Sequence, residues 1–85
     1  MNTTNTLSVR LFAVARQAAG RDLAEVALPE GATIAQLRAT LAAAYPALAP
    51  ILKHALFSVN AEYAGEASII PAKAEIACIP PVSGG

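Results

Sequence analysis

Positive charge is sparse in this chain and nowhere clustered: six Lys and Arg are spread over 85 residues and balanced by six Asp and Glu. Binding to a phosphate backbone draws on clustered basic side chains, so the composition speaks against a nucleic-acid partner. Polybasic attraction to an anionic membrane is disfavoured for the same reason. Tryptophan is absent and aromatic residues make up 5% of the chain, so the core must rest on Leu, Ile and Val. One cysteine, Cys78, and one histidine, His54, are present. A single thiol makes no internal disulfide, and one Cys with one His is too few for a structural zinc site, so no metal is expected. Long apolar runs are missing too. The longest uncharged stretch, Ala39 to Leu52, is too short to cross a bilayer and contains Pro46 and Pro50. The first six residues lack the basic-then-apolar order of a signal peptide, and the expected location is the cytoplasm.

What is present is apolar: 55% of the residues are hydrophobic, which sets the chain apart from disordered tails. Its length suits one small domain. Leu7, Val9 and Leu11 alternate with Ser8, Arg10 and Phe12, the period of a strand with one buried face. Ala13 to Ala19 favours a short helix stopping at Gly20. Leu23 to Leu28 alternates again, and Pro29-Glu30-Gly31 breaks it. Thr33 and Gln36 have the spacing of a capping box. Ile34, Leu37, Leu41 and Ala44 then form the apolar face of the main helix, which Pro46 ends. Leu48, Ile51 and Leu52 close over the core, Leu56 to Asn60 reads as a strand, and Ala61 to Ser68 holds turns and a short edge strand. The last strand runs from Glu75 to Ile79 and stops at Pro80-Pro81. This order predicts the α+β class, a mixed sheet with one main helix across one face. The first and last strands would lie parallel and adjacent. The expected divisions are a mobile polar lead at 1–6, a folded body at 7–79 and an extended tail at 80–85.

Side-chain catalysis finds little support. No Gly-rich phosphate loop precedes a helix, the six acidic residues show no paired spacing, and a Ser-His-Asp triad would have to use His54, which sits beside Lys53 in a surface turn. Cys78 falls on the core phase of the last strand and is expected to pack as a small hydrophobe. The chemistry points instead to the end of the chain. Pro80 and Pro81 favour extended backbone, and Gly84 and Gly85 are thin enough to thread a narrow channel. The reactive group at the tip is the α-carboxylate of Gly85. Activation by ATP would give an acyl-adenylate with loss of pyrophosphate. Displacement of AMP by a sulfur nucleophile would then leave a thiocarboxylate.

The run Ile79-Pro80-Pro81-Val82-Ser83-Gly84-Gly85 resembles the C-terminus of the MoaD-type family, the small subunits of molybdopterin synthase. Val9-Arg10-Leu11-Phe12-Ala13 with Arg16 and Gly20, Thr33 with Leu37, and Val59-Asn60 are also similar to family positions. Two departures stand out: the turn Ala72-Lys73-Ala74-Glu75 lacks the family's glycine, and residues 1–6 are an additional polar lead. The resemblance implies a β-grasp, ubiquitin-like topology and a sulfur-donor role without catalytic side chains of its own. An activating enzyme of the MoeB or E1-like type would use ATP to adenylate Gly85, and sulfur transfer would give the thiocarboxylate. The tail, Pro80 to Gly84, would enter a MoaE-type large subunit, forming a heterotetramer. Sulfur would there pass to cyclic pyranopterin monophosphate to build the dithiolene of molybdopterin. No cofactor bound by this chain is implied. Strand alternation places Phe12 and Ile79 on the sheet face away from the helix, near the base of the tail, with Tyr63 as a third member of an interface patch. The alternatives are a sulfur carrier for thiamine or tRNA thiolation, a ubiquitin-like modifier joined to lysines through Gly85, and a plain interaction module.

Overall fold

The period-two pattern at the start of the chain becomes strand β1, Thr4–Leu11, with Leu7, Val9 and Leu11 buried and Ser8 and Arg10 exposed. The computed structural model describes residues 4–80. β1 begins three residues earlier than expected. Thr4, Asn5 and Thr6, placed in a mobile lead by their polarity, pair with Pro29, Leu28 and Ala27 of β2 (Leu23–Pro29). Backbone pairing does not need apolar side chains, so polarity alone misplaced that boundary. Residues 1–3 lie outside the described residues.

Helix α1, Ala13–Ala19, ends on Gly20 at φ 72, a left-handed cap that glycine adopts without penalty. Helix α2, Ile34–Ala44, starts on the expected capping box: the Gln36 N–H donates to the Thr33 hydroxyl, and the Thr33 N–H donates to the Gln36 side chain. Ile34, Leu37 and Leu41 are fully buried, but Ala44 is exposed. At about 3.6 residues per turn the stripe continues to Tyr45, which packs against the core, and Ala44 swings outward. The Tyr45 hydroxyl accepts from the Glu25 N–H at 3.1 Å and donates to the Glu25 carbonyl at 3.2 Å, so it covers part of the open edge of β2. A tight helical turn, Pro46–Leu48, and helix α3, Ala49–Leu52, bury Leu48 and Leu52 over the core.

The remaining strands are β3 (Leu56–Val59), β4 (Glu62–Ala64) and β5 (Ile76–Ile79). The sheet order is β2-β1-β5-β3-β4. β5 lies parallel to β1 with Leu11 opposite Cys78, and every other neighbouring pair is antiparallel. This is the expected mixed sheet, with α2 across one face and the other face free of helices. No helix among the described residues is long and apolar enough to cross a membrane.

Two turns next to the sheet use non-glycine residues at positive φ. The β3–β4 hairpin turns on Asn60 and Ala61 at φ 52 and 71, and Lys73 before β5 sits at φ 60. Lys73 stands in the turn that lacks the family's glycine, and the turn forms regardless, held by Asn60. The Asn60 N–H donates to the Glu75 carbonyl at 2.8 Å, and the Glu75 N–H donates to Asn60 Oδ1 at 3.0 Å. A Cβ in the left-handed region costs about 1–2 kcal/mol, part of which glycine returns through the greater freedom of the unfolded chain. Ala61→Gly therefore raises stability by about 0.5–1 kcal/mol, read from urea unfolding midpoints. An unchanged or lower midpoint would show that the hairpin carries no strain at Ala61.

Candidate functional site

β5 is the interior strand from which the tail departs, and its alternation decides what surrounds that point. Ile76 and Cys78 point to the core, while Ala77 and Ile79 are half-buried on the opposite face. Pro80, expected within the free tail, is buried. It belongs to the folded body, because a proline closing an interior strand packs its ring where no ladder N–H is required. Pro81, Val82, Ser83, Gly84 and Gly85 lie outside the described residues.

Phe12 follows β1 in extended conformation (φ −123, ψ 155), so strand alternation carries its ring to the helix-free face, where it is 45% exposed. One step past the Leu11–Cys78 pair, Phe12 and Ile79 come level on neighbouring strands. On the other side of Ile79 stands Leu56, its direct cross-strand partner and 56% exposed. The structure thus aligns Phe12, Ile79 and Leu56 in one apolar row at the base of the tail. Leu56 was not singled out from the sequence. The signal was there: in β3, Leu56 shares its phase with Ser58, opposite Phe57, and an apolar residue on a polar phase marks an exposed contact. Tyr63 is 71% exposed on the same face, paired with Ser58 and therefore diagonal to Leu56. It flanks the row and does not belong to it.

The turn before Leu56 is held by an arginine that sequence reasoning also passed over. Arg38, on α2, donates to the carbonyls of Leu52 and Ala55, the latter at 2.8 Å, in the turn that launches β3. Its guanidinium makes a two-pronged pair with Glu66, at 3.0 and 2.6 Å, and lies 5.0 Å from the centroid of the buried Phe57 ring. The Glu66 carboxyl is held below its ordinary value by the hydrogen bond from Arg38.

The remaining candidates are inert by position. His54 is exposed in the α3–β3 turn. Cys78 is fully buried, and burial pushes its thiol up from 9.0 to about 11, partly opposed by the Arg38 charge. That shift makes its thiolate fraction at neutral pH about a hundredfold smaller than in the unfolded chain. The native thiol should therefore resist alkylation until unfolding, as read by mass spectrometry with and without urea. Because the folded value is the raised one, this contribution to stability is complete below pH 9 and is lost as pH rises towards 11. Rapid labelling of the native state would contradict the buried placement. Among the described residues, no group of three or more His, Cys, Asp and Glu could hold a metal ion.

The model of the ThiS family matches residues 9–85. A molybdopterin synthase sulfur carrier subunit of Chlamydomonas reinhardtii is 36% identical over 81 residues, covering 93% of this chain and 98% of that protein. One from Arabidopsis thaliana is 32% identical over 79 residues, covering 93% of this chain and 82% of that protein. Among solved structures, SAMP1 from Haloferax volcanii, a small archaeal modifier protein, superposes with a TM-score of 0.82 at 29% identity, covering 95% of this chain and all of that one. These likenesses agree with the β-grasp, ubiquitin-like topology of the sheet.

Proposed function

The chain belongs to the ThiS family, and from that premise we propose that it is the sulfur carrier subunit of a molybdopterin synthase. The single observation that carries the proposal is positional. An interior strand, β5, ends at Ile79 and Pro80 beside an exposed apolar row, Phe12, Ile79 and Leu56, and the sequence continues from there into the Pro-Val-Ser-Gly-Gly run. A carrier needs both parts, a surface that docks and a thin arm that reaches. The relatives named as sulfur carrier subunits support the choice of pathway.

In this reading the Gly85 carboxylate attacks the α-phosphate of ATP on an E1-like activating enzyme, releasing pyrophosphate. Sulfur then displaces AMP from the acyl carbon, and the resulting thiocarboxylate is carried into a large subunit of the MoaE type. Its sulfur attacks an oxygen-bearing carbon of cyclic pyranopterin monophosphate, and the carbon–oxygen bond there breaks with loss of the oxygen. Hydrolysis of the acyl link returns the carboxylate while sulfur stays on the product; a second thiocarboxylate supplies the second sulfur of the dithiolene. The folded body contributes docking and reach, and the partner supplies the acids and bases. The tail from Pro81 to Gly84 threads the partner, with Pro80 as its anchor. The site of action is the cytoplasm, and the complex is a heterotetramer.

The chain is tested with ATP, an activating enzyme of the MoeB type and a sulfur donor, followed by intact mass measurement. Exchange of one oxygen for sulfur at Gly85 is expected. A chain left at its original mass by a competent activating enzyme would contradict the proposal. Docking is tested separately. Replacing Leu56 or Phe12 by Asp places a charge at one end of the apolar row, beside Ile79, and affinity for the large subunit should fall by about 100-fold with the melting temperature preserved. Loss of the fold in Phe12→Asp would instead make Phe12 a core residue. The likeness to SAMP1 favours a second reading, a protein modifier joined through Gly85. It would appear as thiol-resistant adducts of higher mass in cells.

A further inference from the structure

The helix-free face of the sheet continues away from the tail into a groove of about 410 Å³. Ser8 and Arg10 of β1 and Ala77 of β5 form its floor, with Leu23 on one side and Lys73 on the rim. Two cations therefore share one concave surface of mixed polar and apolar lining. Arg10 has Leu23 and Ala77 as direct cross-strand neighbours; Glu25, opposite Ser8 on the same face, is the diagonal carboxylate, and Asp22 lines a neighbouring cleft with Arg10. Among the described residues neither Arg10 nor Lys73 is within ion-pair distance of a carboxylate; the pairs formed are Arg16–Asp22 and Arg38–Glu66. Glu75 also lines the groove, leaving its ionised side chains with a net charge of one positive.

Lys73 is placed with some rigidity. It occupies a left-handed backbone position, φ 60, in a turn locked by the reciprocal hydrogen bonds between Asn60 and Glu75. The groove is also continuous with the apolar row. Arg10 lies two residues before Phe12 on the same outward phase, and Ala77 lies two before Ile79, so the cations begin about 7 Å from the row. A partner seated on Phe12, Ile79 and Leu56 extends over them.

We propose that this groove receives an acidic segment of the large subunit, whose carboxylates pair with Arg10 and Lys73 while the apolar row seats its hydrophobic contact. The inference rests on the carrier function proposed above. Opposite charge at the edge of an apolar contact orients the encounter and speeds association, and both effects are screened by salt.

The test is calorimetric titration of the intact carrier into the large subunit at about 50 mM and 500 mM NaCl. Wild type is compared with a double Arg10→Gln, Lys73→Gln variant and with Leu56→Asp. The double variant should bind about tenfold more weakly at low salt, and its affinity should change little with salt. Wild type and the double variant should converge at high salt. A double variant that matches wild type at both salt concentrations, while Leu56→Asp loses binding, overturns the groove assignment and leaves the carrier function standing. A wild-type carrier that fails to bind the large subunit overturns both.

Discussion

Removal of Gly84 and Gly85 abolishes sulfur delivery and leaves the thermal stability of the domain unchanged. The two glycines follow Pro80, the last described residue, by several positions, and the core cluster is built from residues between Leu7 and Cys78. All of the proposed chemistry runs through one acyl group on Gly85. Among the described residues the two nucleophile candidates do not substitute for it, since Cys78 is sealed in the core and His54 is exposed in a turn. A single residue added after Gly85 should be as damaging as the deletion, because it converts the reacting carboxyl to an amide. Thiocarboxylate formation, followed by mass, should drop at least about 1,000-fold in both variants, the scale expected when a reacting group is removed and not merely misplaced. Binding to the large subunit through the apolar row should weaken far less. Residual transfer by the truncated chain would relocate the reacting group.

The second large effect falls on stability. Arg38→Met retains most of the aliphatic stem but removes the donors to Leu52 and Ala55, the pair with Glu66 and the contact with the Phe57 ring. Hydrogen bonds from a charged group are worth about 1.5–3 kcal/mol, and two turn carbonyls lose their donor together. The expected loss is about 2–4 kcal/mol by urea unfolding. That is a large share of the stability of a domain this size. Glu66→Gln should cost under about 1 kcal/mol, because Glu66 is over half exposed and its pair with Arg38 is screened by solvent. The pH profile separates them further. Glu66 has a lowered folded value, so its contribution is present above the ordinary carboxylate range and is lost as pH falls through the lowered one. Arg38→Met should flatten that acid limb. Equal and small effects from both substitutions would show that Arg38 does not hold the start of β3.

Most of the fold was legible because its signals are local. Period-two alternation gave the phases of β1, β2 and β5, and the Thr33–Gln36 box fixed the start of α2. What escaped depended on contacts between distant segments. Thr4–Thr6 joined β1 because β2 offered backbone partners. Arg38 stands beside the apolar face of α2 and was not singled out, and nothing nearby in sequence announced Leu52, Ala55 or Glu66 as its partners. Leu56 entered the candidate site only once the register set it against Ile79, although its phase in β3 was readable. Phe12 and Ile79 were found earlier because alternation alone orients them, and Tyr63 was oriented correctly but lies one row away. The tail was the plainest signal in the sequence, but from Pro81 onward it lies beyond the described residues, so its role stands on chemistry and family membership.

The most direct measurement is dithiolene-containing pterin formed per carrier when the Gly85 thiocarboxylate form is mixed with a MoaE-type large subunit and cyclic pyranopterin monophosphate. Product should form in proportion to the thiocarboxylate supplied and be absent with the carboxylate form. A folded thiocarboxylate form that yields no product with a competent large subunit would contradict the assignment to molybdopterin synthesis.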